Sequence, residues 1–166
     1  MRQTFDETTE RAFGARHLPL IRQAMAEQKL DGFLVPHEDE HQNEYLPEAN
    51  DRLAWATGFT GSAGAAVILK DKAAVFVDGR YTLQVRDQVD ESLFEIRDLV
   101  EGGVPAYLET AAAKGQAIGY DPRLHSPDGL ARVRAAVEKA GAELKPVALN
   151  PLDAAWGAKR PAQPQA

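Results

Sequence analysis

Ile21, Ala24 and Met25 recur at helical spacing behind Pro19, whose missing N–H is harmless in a first helical turn. The pattern predicts a helix opening near Pro19 and closed by Asp31-Gly32. Ahead of it, residues 1–17 are polar and read as a loose lead-in. Phe33-Leu34-Val35 then forms a short buried strand stopped by Pro36, and His37 to Asn50 is a polar loop. Arg52 to Ala56 predicts a short helix before the glycine-rich run Gly58-Phe59-Thr60-Gly61-Ser62-Ala63-Gly64. Two apolar runs, Ala65 to Leu69 and Ala73 to Val77, predict an antiparallel hairpin turning at Lys70-Asp71-Lys72. Tyr81, Val85 and Val89 stand at i, i+4 spacing and predict a further helix.

In the second half, Phe94 to Leu99 reads as a strand and Val104 to Ala113 as a helix with Pro105 near its start. Ala117 to Tyr120 is a strand ending at Asp121-Pro122. After Ser126-Pro127-Asp128, a helix carries Leu130, Val133, Ala136, Val137 and Ala140 on one face and stops at Gly141. Glu143 to Val147 is the last predicted strand, and residues 159–166 read as a linker. Helices alternating with strands predict an α/β fold, a mixed β-sheet flanked by helices, over residues 18–158.

With 166 residues the chain suits one domain, long enough to bury a core without staples. It has no cysteine, which excludes disulfides, thiolate nucleophiles and cysteine-ligated zinc. A net charge of -6 argues against a nucleic-acid partner, because phosphates would be repelled. The polar, acidic start has no signal-peptide core, and no apolar run approaches the roughly 20 residues that span a bilayer. The expectation is a cytoplasmic protein without membrane contact.

Three stretches resemble sites. His37-Glu38-Asp39-Glu40-His41 is a literal H-E-x-x-H, the zinc-peptidase spacing. Here it follows Pro36 in an acidic loop, whereas the zinc motif needs a packed helix with both histidines on one face. A solvated loop is the better account. Thr60-Gly61-Ser62-Ala63-Gly64 approaches a nucleophile elbow, but Thr60 replaces the first glycine and the run leads into a strand. Asp78-Gly79-Arg80-Tyr81 lies where a strand passes into a helix, the side of an open α/β sheet where ligands sit. Asp78 suits a helix cap. Arg80 suits either a local acid or a ligand carboxylate or carbonyl, and spacing weighs the two equally.

The order of these segments is more specific than any one of them. Leu30-Asp31-Gly32-Phe33-Leu34-Val35-Pro36 is followed by His41 with Glu44-Tyr45, then Arg52. Next come Thr57-Gly58-Phe59-Thr60-Gly61-Ser62-Ala63-Gly64, Asp78-Gly79-Arg80-Tyr81 and Gly119-Tyr120-Asp121-Pro122. Asn150-Pro151-Leu152-Asp153, Trp156 and Arg160-Pro161 close the series. From about Leu18 to Pro161 the chain resembles the first domain of cytosolic Xaa-Pro aminopeptidases (aminopeptidase P), of the creatinase and prolidase superfamily. Departures are small: Asn43 and Thr57 stand where serine is usual. His41, Glu44 and Tyr45 match the family's pattern, whereas His37 and Glu38 do not.

The resemblance implies a creatinase N-terminal-like fold with a ribonuclease H-like motif. It implies a longer enzyme in which two such domains precede a catalytic domain of pita-bread fold. That domain holds two divalent metals, typically manganese, and removes the first residue from peptides with proline second. No catalytic residue, metal ligand or cofactor site then falls in this chain. Arg80 is expected to face the catalytic cleft, with His41 beside it, as candidate substrate-binding residues. The implied partners are the protein's own C-terminal domains and a peptide substrate, with a homodimer of the full-length enzyme left open. The rival is a free-standing peptide-binding or regulatory module that kept the fold and lost the enzyme. A third alternative is a self-contained zinc peptidase using His37 and His41.

Overall fold

The computed structural model describes residues 2–36, 52–57, 64–77, 85–86, 88–98, 103–125 and 127–156. Five α-helices have both ends among the described residues: α1 (Arg2–Glu27), α2 (Arg52–Thr57), α3 (Gly103–Ala111), α4 (Pro127–Lys139) and α5 (Pro151–Trp156). They alternate with six strands: β1 (Gly32–Pro36), β2 (Gly64–Leu69), β3 (Ala73–Val77), β4 (Glu95–Asp98), β5 (Ala117–Tyr120) and β6 (Glu143–Pro146). The strands form one sheet in the order β4-β3-β2-β1-β5-β6. β2 runs antiparallel to both of its neighbours, and every other pairing is parallel. The sheet is therefore mixed, with helices on both sides, as the alternation of elements predicts.

Period-two alternation divides the strand residues between two cores. Phe33, Val35, Ala66, Ile68, Val75 and Val77 face a layer that includes Leu18, Ile21 and Met25 of α1, Ala56 of α2 and Leu152 of α5. Leu34, Val67, Leu69, Phe76, Ile118 and Leu144 face Tyr107 and Leu108 of α3 and Val133, Ala136 and Val137 of α4. Burial on both faces explains why the β2–β3 hairpin reads as unbroken apolar runs rather than an apolar-polar alternation. Each fully buried side chain of this size contributes about 1.5–3 kcal/mol. The predicted antiparallel hairpin forms, in a register that sets Ile68 opposite Ala73 and Gly64 opposite Val77.

Two expectations are corrected, and one helix is new. Residues 2–16 are helical: α1 begins at Arg2 and runs through Pro19. Pro19 removes one helical hydrogen bond, but it and Ala15 are exposed, so the freed carbonyl lies on the solvent side. Nor does Asp31-Gly32 end this helix. The amide of Lys29 donates to Ala26 and that of Leu30 to Met25, with Lys29 left-handed at φ 61°. This is a Schellman stop built on a lysine, sealed by the buried pair Met25 and Leu30. Gly32 opens β1 instead, where an added Cβ would lie 2.5 Å from a Leu69 methyl and 2.9 Å from Ile118. Lastly, periodicity does not predict α5, because six residues are too few to show it. By contrast, Gly141 at φ 88° ends α4 as expected.

Candidate functional site

Because only β2 is reversed, the carboxyl ends of β1, β3, β4, β5 and β6 and the start of β2 share one edge of the sheet. The chain passes outward from β1 through β2 and β3 to β4, then returns to β5 on the other side of β1. The strand order thus reverses between β1 and β5, the kind of place where open α/β sheets bind ligands. Residues 37–51, 58–63 and 78–84, which follow β1, precede β2 and follow β3, lie outside the described residues. His41 and Arg80, both substrate-binding candidates, are among them, as are His37, Glu38, Asp78 and most of the glycine-rich run.

What the structure does describe at this edge lies beyond β5 and β6. Asp121, 2% exposed, directly follows β5. Its Oδ1 accepts from the amide of Arg123 at 3.1 Å and from that residue's Nε at 3.1 Å. Its Oδ2 accepts from Arg123 Nη2 at 2.9 Å and from Asn150 Nδ2 at 3.1 Å. Burial pushes this carboxyl up, but the Arg123 and Asn150 hydrogen bonds and the guanidinium charge outweigh it and hold it below its ordinary value. Asn150, 1% exposed, uses its Oδ1 to accept from the amide of Leu152 at 2.9 Å, so it caps α5, with Pro151 in the first helical position.

Beside this network, His125 meets the Tyr120 ring edge-on at 5.8 Å. Burial depresses the imidazole, and the charge of Asp121 opposes that only in part. On the opposite flank, His17 of α1 stacks on Trp55 of α2 at 3.9 Å and donates from Nδ1 to the Trp55 carbonyl. α2 leads in sequence into the glycine-rich run, and Thr57 at its end is fully buried.

Asp121 and Asn150 are site-edge residues to which periodicity assigns no role. Asn150 has a local signal, an Asn-Pro pair with Asp153 three residues on from the asparagine, which reads as a helix start. Asp121 has none pointing to Asn150, because the partners are 29 positions apart. Among the described residues there is no group of three or more His, Cys, Asp or Glu side chains placed to hold a metal ion. No helix among them is long and apolar enough to cross a membrane.

A mixed sheet with a packed core on each face, its strand order reversing between β1 and β5, defines an α/β domain of the layered class. Residues 18–151 match the Creatinase/Prolidase N-terminal domain family, and the chain belongs to it. It is 38% identical over 168 residues to a protein of Neurospora crassa named "Probable Xaa-Pro aminopeptidase P", covering 99% of this chain and 24% of that one. It is 36% identical over 149 residues to Xaa-Pro aminopeptidase 2 of Sus scrofa, covering 90% of this chain and 22% of the relative. Among solved structures, the X-prolyl aminopeptidase of Caenorhabditis elegans, described as a cytosolic enzyme with a di-nuclear active site, superimposes with a TM-score of 0.80. That match has 25% identity and covers 90% of this chain and 26% of the other. The chain therefore spans about a quarter of the length of such relatives.

Proposed function

We propose that this chain is the non-catalytic N-terminal domain of a metal-dependent Xaa-Pro aminopeptidase, which removes the first residue from peptides with proline second. One observation carries this: 99% of the chain aligns with a relative of that name, yet makes up only 24% of it. The remaining length leaves ample room for a catalytic portion. The di-nuclear site named for the C. elegans enzyme supports a pair of divalent metals, with manganese the expected ion, held by residues outside this chain. Such a pair supplies a water activated for attack on the peptide carbonyl.

The part of the domain itself is to wall the cleft and to orient the peptide from the carboxyl edge of its sheet. Arg80, three residues after β3, and His41, five after β1, are the side chains proposed to meet the substrate. A guanidinium offers a planar fork to a peptide carbonyl or carboxylate. His41 serves there rather than as half of a zinc site with His37. The setting is cytoplasmic, like that of the C. elegans enzyme.

Two measurements test this. The purified chain should hydrolyse no Xaa-Pro peptide, with or without manganese; turnover free of contaminating enzyme would overturn the assignment. In the full-length polypeptide, Arg80→Ala should lower kcat/KM roughly 10–150-fold, the worth of a charged hydrogen bond of about 1.5–3 kcal/mol in the transition state. The isolated domain carrying that substitution should keep its Tm. Normal kinetics with a lowered Tm would make Arg80 a structural ion-pair partner instead.

A further inference from the structure

The segment joining β6 to α5 is held more firmly than a surface connection needs. The Val147 amide donates to the Tyr120 carbonyl at 3.0 Å, which extends the β5–β6 pairing past the strand end. Gln28 at the end of α1 donates from Nε2 to the Leu149 carbonyl at 3.0 Å, although Leu149 is 56% exposed. Asn150 then bonds to Asp121, whose carboxylate is itself gripped by the fork of Arg123. Four successive residues thus carry three ties, to β5, α1 and the turn after β5.

This segment leads directly into α5, six residues long. A helix of fewer than two turns has little rigidity of its own, so its cap and its packing decide its course. The packing anchor is Leu152, fully buried among α1 and α2 residues, and the cap is Asn150. Asn150 does two jobs with two atoms: Oδ1 starts the helix, and Nδ2 orients it by way of Asp121.

We propose that Asp121 and Asn150 are positioning residues that fix the course of α5, and with it the direction in which the chain passes onward. The first part stands on the geometry alone. The second rests on the function proposed above, in which the chain beyond α5 leads, through a second domain of this kind, to a catalytic portion that must be aimed at this domain's carboxyl edge. Misplacement of a cleft wall by about 1 Å is enough to cost roughly 100-fold in rate.

Asn150→Ser separates the two jobs, because serine caps helices well but is too short to reach Asp121. Asp121→Ala is the harsher change and risks unfolding; Arg123→Lys is the second variant, keeping the charge while losing the fork that holds the carboxylate. The absence of native cysteine allows clean spin labelling at Ala154→Cys on α5 and Glu138→Cys on α4, both exposed positions. The parent pair should give one narrow distance distribution. Asn150→Ser should broaden or displace it by more than its width, and Arg123→Lys should do so to a lesser degree. In the full-length polypeptide, Asn150→Ser should lower kcat/KM roughly 10–100-fold through kcat, with a fall in Tm smaller than that of Asp121→Ala. A distance distribution in Asn150→Ser identical to the parent's overturns the proposal, and an altered distribution with unaltered kcat/KM overturns its second part. The distance does not depend on catalysis, so a parent polypeptide that cleaves no Xaa-Pro peptide sinks the aminopeptidase assignment and leaves the test of α5 intact.

Discussion

Asp31 and Asp121 sit at opposite ends of the central strands β1 and β5, and they do the same chemistry in different surroundings. Asp31, ahead of β1, accepts from the Ala117 amide at 2.8 Å and pairs with Lys70 at 2.9 Å, its side chain 24% exposed. Asp121, behind β5, holds Arg123 and Asn150 with a side chain only 3% exposed. Both carboxyls lie below their ordinary value. For Asp31 the main cause is the Ala117 amide, then Lys70. For Asp121 burial works in the other direction, and the donors must overcome it. A depressed carboxyl therefore says little about stability until its exposure is known: water can replace most of what Asp31 binds, and little of what Asp121 binds.

The largest expected effect comes from that difference. Asp121→Ala leaves the Asn150 amide buried without its acceptor and should destabilise the domain by about 3 kcal/mol. For a domain of this size that is roughly a 6–12 °C fall in Tm by calorimetry. A loss no greater than that of the equivalent change at Asp31 would erase the contrast.

Acidification should sharpen it next, in two stages. His125 titrates lower in the folded state than the unfolded value of about 6.5, so protons bind the unfolded chain first and stability begins to fall below about pH 6.5. His125→Phe, which keeps a ring against Tyr120, should remove that upper stage. The two carboxylates have folded values below the unfolded value of about 4, so their contribution is complete above that pH and is lost as pH falls through the folded values. Melting curves between neutral pH and about pH 3 check both stages; a flat profile above pH 4 would contradict the role given to His125.

The smaller effects lie at the other end. Asp31→Ala should cost about 1 kcal/mol, one charged hydrogen bond with partners that can reach water. Lys70→Ala, whose side chain is 62% exposed, should cost less than about 0.5 kcal/mol. Denaturant midpoints at constant m-value give both numbers.

Much of the fold was legible locally. The apolar runs of β2 and β3, the face of α4 and the stop at Gly141 come from residue spacing and turn chemistry within a few positions. The start of α1 was not, because residues 2–16 carry no clear apolar stripe, and two buried positions near there are Gly14 and His17, neither an apolar marker. Its end escapes local reading because a lysine takes the left-handed position where glycine is the usual signal. Of the candidate site, the joint order of motifs pointed to the family, while Arg80 and His41 remain proposals for kinetics to decide.

The amino-acid sequence by itself determined the alternation of elements, the two-sided burial of the sheet and the membership of the creatinase and prolidase N-terminal family. Those properties depend on patterns within a strand or helix, or on motif order along the chain. Only the tertiary structure decided that Asp31 faces Ala117 and Lys70, and that Asp121 reaches Asn150. Strand order brings β1 beside β5 and lays α5 across α1, and no local pattern encodes which distant carboxylate will meet which distant amide. Burial then makes the second meeting strong and leaves the first weak, because one is shut off from water and the other is not.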